Sequence, residues 1–424
     1  MTDTARRSFL KRLGQGAVGS MTLPVFSTTL NDHWQTIGLN ATDNETEEYW
    51  HLVKSQFNLA EGLHYFNNAS LGASSTHIQQ ATNHFRSTLD GFPSKYMWGA
   101  WEEEKERVRE KTANLFSVTT EEIALIHNTT EGMNLIARSF DLQPGDEVIL
   151  ADHEHASGRI PWEVWQEKKG IKLVRPELPI RPKSVAELAT IYENAITPKT
   201  KIISMCHMVN TNGMILPVQE VSKMAHEKGI LVAVDGAQTA GMFTINLKEL
   251  GCDFYTASSH KWLFSPKGVG VFYARKESQH YLKPLMVARG HTDKSIRRLE
   301  NYNTRNLPEV LGLGAAIDFH NTIGASRIHR RSFELKAYFR SKLAGNPKLI
   351  IKSPALDALS AAIQVVEVKG KDVKNVKQKL WEDYGIDCRP MTSHNLNALR
   401  LSFAIHITKK DIDYLVKALN ALAA

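Results

Sequence analysis

The chain has 424 residues, 42% apolar and 23% charged, with a formal net charge of +7. That length suits one large domain with a smaller companion, and such a chain buries its core without disulfides or structural metals. The positive charge is scattered, with part of the surplus on Arg6, Arg7, Lys11 and Arg12, and no RNA-binding or zinc-finger spacing accompanies it, so no nucleic-acid partner is expected.

The extreme N-terminus reads Ala5-Arg6-Arg7-Ser8-Phe9-Leu10-Lys11, followed by a weakly apolar run from Leu13 to Phe26. Paired arginines, then Phe-Leu-Lys, then such a run are the pattern of a twin-arginine export signal. The run is too short and too polar for a stable membrane span. Residues 1–30 are therefore expected to be read by the twin-arginine translocase and to send the protein to the periplasm. A polar stretch around Asn40 to Glu48 follows, within an N-terminal segment covering 31–64.

Next the chain alternates between helical and strand-like segments. Glu102 to Phe116 reads as a charged amphipathic helix and Glu122 to His127 as a short strand. Glu147 to Ala151 reads as a strand after the Pro144-Gly145-Asp146 turn. Lys201 to Met205 and the apolar run from Ile230 to Asp235 read as further strands, with a helix over Val218 to Lys228 between them. This alternation predicts an α/β domain over 65–305, its sheet mainly parallel and covered by helices on both faces. From 306 to 424 the pattern changes. Helices are predicted around Leu311 to Phe319 and Ser326 to Leu343, strands over Ala361 to Val368 and Leu399 to Ala404, and a last helix over Lys409 to Leu422. This predicts a smaller α+β domain.

Several residues carry possible chemistry. Asp235 closes an apolar strand, and open α/β sheets bind ligands at the carboxyl ends of their strands. Gln238 follows it by three residues. Lys261 lies 26 residues beyond Asp235, room for one helix and one strand, which predicts the lysine beside the aspartate on the next strand. It sits in Ser258-Ser259-His260-Lys261-Trp262, ahead of a Gly-rich turn. Asn128-Thr129-Thr130-Glu131-Gly132 joins a strand to a helix, where free amides and hydroxyls bind phosphate. His155 lies in Asp152-His153-Glu154-His155. No metal site is expected from that string, because neighbouring residues on a strand face opposite ways and no third ligand is placed. A lysine that forms a Schiff base, an anion for a ring nitrogen, a phosphate cradle and a ring-stacking side chain are what pyridoxal 5'-phosphate (PLP) requires of a protein. Taken singly, each is equally well a surface lysine, a capping aspartate or a helix cap.

In this order the segments resemble the class V aminotransferases of PLP fold type I, over about Tyr65 to His406. Phe66-Asn67-Asn68-Ala69-Ser70-Leu71-Gly72 resembles the family's entry motif, and Val234-Asp235-Gly236-Ala237-Gln238 is the most specific piece. The resemblance implies a central sheet of the seven-stranded type and PLP as cofactor. It implies a Schiff base on Lys261, Asp235 at the ring nitrogen, His155 on the ring face, and Gln238 and Asn210 at the ring hydroxyl. Thr129, Thr130, Glu131, Ser258 and His260 are implied around the phosphate. It also implies a homodimer with a shared active site, in which Thr304 of Asn303-Thr304-Arg305-Asn306 reaches the neighbour's phosphate. Arg400, in Arg400-Leu401-Ser402, is implied to hold the carboxylate of a small amino-acid-like substrate, with Asn68 and Ser70 nearby. Cysteine desulfurases of this family carry a reactive cysteine before that arginine. Here the stretch Arg389 to Ala398 has none, Cys388 is a poor stand-in, and Cys206, Cys252 and Cys388 read as buried, inert thiols. The entry motif and the Asn-Thr-Arg-Asn segment lie closer to the isopenicillin N epimerase branch. That branch implies epimerisation at an α-carbon, with transamination or β-elimination using the same residues. A non-catalytic binding protein on this fold would have lost some of these motifs, and none is lost.

Overall fold

Seven short strands make the central sheet: β1 (Ile123–Ile126), β2 (Glu147–Ile149), β3 (Lys172–Val174), β4 (Thr200–Cys206), β5 (Leu231–Asp235), β6 (Phe254–Ala257) and β7 (Gly270–Ala274). Their order across the sheet is β1, β7, β6, β5, β4, β2, β3. Only β7 runs antiparallel to its neighbours; the other pairings are parallel. These assignments come from a computed structural model that describes residues 45–424. The expected export segment lies outside the described residues.

The two faces of the sheet explain the near-continuous apolar strands. Leu125, Ile203, Val232, Val234, Tyr255 and Val271 point into one core. Their neighbours Ala124, Ile202, Ala233, Phe254 and Phe272 point into the other. Alternation with both sides buried leaves no polar positions, which is why the period of two is hidden in the sequence. On the first face lie α2 (Glu102–Leu115), α5 (Val218–Glu227) and α6 (Leu307–Ile323), and on the second α3 (Thr129–Ser139) and α4 (Ala156–Lys169). α1 (Thr76–Gly91) packs against α6.

A second sheet holds β8 (Leu349–Ile351), β9 (Ile363–Val368), β10 (Arg389–Met391) and β11 (Ala398–Ser402), all antiparallel in the order β10, β11, β9, β8. It shares a core with α7 (Ala325–Leu343) and α8 (Lys409–Ala423) through Leu335, Phe339, Val366, Leu401, Leu415 and Leu419. The helix expected around 311–319 runs from Leu307 to Ile323, with a proline in its first turn where the missing amide is harmless. Its Leu307, Leu311 and Ile317 belong to the core of the large sheet, so packing divides the two cores near Gly324, between α6 and α7. Residues 45–424 nonetheless form one compact unit. His64–Tyr65 pairs in parallel with Ile386–Asp387, which ties the entry motif to the second sheet. Among the described residues no helix is long and apolar enough to cross a membrane.

Candidate active site

The site grows from the carboxyl ends of the central strands. The register sets Cys206 of β4 and Thr256 of β6 on either side of Asp235. Asp235 is 5% exposed and accepts a hydrogen bond from the Ala237 amide at 2.9 Å. Burial raises its pKa, opposed by that amide, by the positive charge of Lys261 and by His155 when that ring is protonated. A cation placed beside it would favour the ionised form further. Glu154 is also buried; its Oε1 accepts from the Cys206 amide at 2.8 Å and its Oε2 has no partner. Burial, with the Asp235 charge adding to it, pushes Glu154 up to about 8.

Lys261 is not on the next strand. β6 ends at Ala257, one residue past the Thr256 that pairs with Asp235, and the lysine reaches the pocket from the following turn. That turn is clamped from below. The Gly72 amide donates to the His260 carbonyl at 3.1 Å, and Asn68 Nδ2 donates to the Lys261 carbonyl at 3.3 Å. A Cβ on Gly72 would lie 2.1 Å from the Lys261 carbonyl oxygen, so only glycine permits this approach. Burial lowers the Lys261 pKa to about 8, with Asp235 pulling upward and Arg400 and Arg389 pushing further down.

The cradle lies at the start of α3. Asn128 caps the helix by accepting from the Glu131 amide at 3.0 Å. Ser258 Oγ accepts from the Thr129 amide at 3.0 Å and donates to Thr129 Oγ1 at 2.9 Å. Thr130 Oγ1 donates to Ser157 Oγ at 2.9 Å. Thr129, Thr130, Ser157, Ser258 and His260 line one cavity. Glu131, expected in this group, turns away. Its carboxylate accepts from the His127 amide at 2.8 Å and from the Tyr302 hydroxyl. A third-position glutamate satisfies the chain entering the helix, and a carboxylate facing a phosphate would repel it.

His155 caps α4, its Nδ1 accepting from the Ser157 amide at 3.2 Å, and lines the same cavity. Burial lowers its pKa, so the ring is neutral over Asp235. Gln238 lines the cavity too, but its amide donates to the Ala69 carbonyl and accepts from Trp262 Nε1, at 2.8 and 2.9 Å. Arg400, 1% exposed, donates to the Asn210 carbonyl at 2.9 Å and to Ser70 Oγ at 2.6 Å. Asn210 and Ser70 line the cavity. Asn68 does not: its amide is spent behind Lys261, so it positions the lysine rather than meeting substrate. Thr304 is exposed and lies away from this chain's own cavity.

Residues 152–155 form a turn and not a strand, which removes the alternation on which the expectation of no metal site rested. His153 parts from His155 and stacks on His394 at 4.1 Å, and ligand-capable atoms of Asp152, His153 and His394 lie within 4.8 Å of one another. The two rings stack face to face, 20° from parallel. All three cysteines are free and buried. Burial pushes the Cys388 thiol up to about 12 and Cys206 well above its usual range. Sequence reasoning missed Glu154 buried near Asp235, Ser157 in the cradle, and Arg389, whose charge reaches Lys261, His155 and Arg400. Only the strand register reveals the last.

One cavity of about 270 Å³ thus joins a buried aspartate, a lysine of lowered pKa, a neutral histidine and a hydroxyl-lined helix start. The family model for aminotransferase class-V matches residues 65–415. The chain belongs to this family. It is 31% identical to an isopenicillin N epimerase of Amycolatopsis lactamdurans over 338 residues, 74% of this chain and 84% of that one. It is also 31% identical to a cysteine desulfurase of Serratia proteamaculans over 343 residues, 76% and 82% of the two chains. A crystal structure of the cysteine desulfurase CsdA from Escherichia coli, 26% identical, superposes with a TM-score of 0.76 over 88% of this chain and 98% of that one. This class V enzyme uses PLP, and its fold is type I. The residues present fit the cofactor: hydroxyls and amides for a phosphate, a buried His260 Nδ1 without a partner beside them, and a dry carboxylate for a ring nitrogen.

Proposed function

We propose that this class V enzyme acts at the α-carbon of an amino acid or peptide-like amine, removing a proton and returning one to the opposite face, as an isopenicillin N epimerase-like epimerase. The observation that carries the reading is the convergence of Lys261, Asp235 and His155 on one buried cavity with Arg400 at its side. Bound PLP supplies an electron sink conjugated to the substrate's α-carbon. In this reading Lys261 holds the cofactor, Asp235 and the turn of Thr129, Thr130, Ser258 and His260 orient it, His155 covers its face, and Gln238 and Asn210 border its hydroxyl. Arg400 grips the α-carboxylate with its planar fork, beside Ser70. A lysine with a pKa of about 8 is partly neutral near pH 7, so its amine accepts the α-proton. His155, neutral in the same cavity, is the second group suited to proton transfer.

A second reading, transamination or β-elimination at a C–S bond, uses the same residues and draws support from the desulfurase relatives. A persulfide route has less support, since no cysteine lies between Arg389 and Ala398 and Cys388 is 1% exposed. The proposal extends to a homodimer in which the exposed Thr304 completes the neighbour's cradle, and to export through the twin-arginine translocase to the periplasm.

The test is proton exchange in deuterated water. The PLP-loaded protein is incubated with single L-amino acids, and α-deuterium, product chirality and the visible spectrum are followed. Deuterium with D-isomer and a persistent yellow band supports epimerisation. Bleaching to a pyridoxamine spectrum supports transamination, and keto-acid with a released β-substituent supports the lyase.

A further inference from the structure

Two arginines stand side by side next to the cavity, both donating to its lining residue Ser70, without an acid between them. Arg389 of β10 and Arg400 of β11 are direct partners in the antiparallel register. Directly opposed residues project from the same face, and like charges so placed repel. Among the described residues their hydrogen-bond acceptors are all neutral. Arg400 donates to the Asn210 carbonyl, Ser70 Oγ and Asn67 Oδ1, and Arg389 to the same Ser70 Oγ at 3.5 Å. The acid nearest in sequence, Asp387, is engaged by Asn67 Nδ2 at 3.1 Å. Burial, with the Arg389 charge adding to it, lowers Arg400 to about 9. Repulsion of this kind is relieved by anions brought in with a ligand.

The pair differs in depth. Arg400 is 1% exposed, with its fork fixed by a backbone carbonyl and a serine, whereas Arg389 lies exposed at the rim. One carboxylate seated on the deep guanidinium leaves the outer charge uncompensated, facing whatever extends outward from the α-carbon. We propose that Arg389 is a second anion subsite, and that the substrate is an amino acid or peptide-like amine carrying a further carboxylate on its side chain, beyond the α-carboxylate held by Arg400. This rests on the reading of the cavity as a site for α-carbon chemistry.

The experiment uses the full-length PLP-loaded protein and two probes of matched length, L-2-aminoadipate and L-norleucine, which differ in a terminal carboxylate. Dissociation constants come from the change in the visible band. Aminoadipate is expected to bind about tenfold or more tightly than norleucine, the factor of one charge-assisted contact. Arg389→Gln should bring that ratio close to one, and Arg389→Lys should restore part of it. Raising salt from 0.05 to 0.5 M (about a threefold shorter screening length) should shrink the wild-type ratio, a check that needs no variant. A wild-type ratio near one overturns the subsite. So does Arg389→Gln weakening both probes equally, because both arginines would then clamp one α-carboxylate. If neither probe changes the band and neither exchanges its α-proton, the α-carbon reading itself falls and the subsite with it.

Discussion

The floor and the rim of the cavity are built differently. The floor is made of the ends of β4, β5 and β6, buried on both faces, with Asp235 buried at the end of β5 and Glu154 buried near it. The rim is made of the Ser70 turn, the β10–β11 pair and the loop between them, where Arg389 and His394 meet solvent or partial solvent. Burial raises the carboxyl groups on the floor, and at the rim it lowers Arg400, with the like charge of Arg389 adding to it. A constant cofactor needs rigid, dry groups, whereas a variable substrate is met by loops, and function on a fold diverges where the scaffold is loosest.

Changing protonation on the floor breaks the comparison most strongly. Burial holds the Glu154 carboxyl up at about 8, well above the ordinary range for a glutamate, so its contribution to stability is complete below that ordinary range and is lost as pH rises toward 8. Glu154→Gln removes that dependence while keeping an acceptor for the Cys206 amide. In urea titrations of cofactor-free protein, the variant should gain on the wild type between acid and mildly alkaline pH, by ~3 kcal/mol. An equal pH dependence in both proteins would show that Glu154 is not held protonated.

A smaller effect probes the packing that supports the floor. A Cβ on Gly236 would lie 2.1 Å from the ring of Tyr255, which is itself buried and bonded to Thr239 and His207. Gly236→Ala should destabilise by ~2 kcal/mol, read as a lower urea midpoint. Gly345→Ala, where nothing lies within 4 Å, should change it little.

The smallest effect belongs to the rim. Arg400→Lys keeps the charge but loses the fork, and should raise KM by about tenfold with a lesser fall in kcat. A matching fall in kcat with KM unchanged would place Arg400 in the chemical step instead.

Legibility in the sequence follows the same division. The run Ile230 to Val234 ending in Asp235 was readable because a doubly buried strand leaves an unbroken apolar word with one polar residue at its end. Thr129, Thr130 and Ser258 were readable because a helix start after a strand has a short vocabulary. Lys261 was found but placed one element wrong, since which residue of β6 faces Asp235 is fixed by register, not by spacing. Glu131 was misplaced because capping and ligand-binding glutamates look alike in sequence, and only the positions of His127 and Tyr302 separate them. Asn68 was given to the substrate although it holds the Lys261 carbonyl. Arg389 was invisible because its meaning lies in its partner across the sheet, 11 residues on.

The most direct measurement of the central claim is chemical. The PLP-loaded protein is reduced with borohydride, digested, and the peptide carrying the cofactor is sequenced by mass spectrometry. Label on Lys261 alone is the expected result. Label on Lys267 instead, or no stable label on a protein that is fully folded and saturated with PLP, would contradict it.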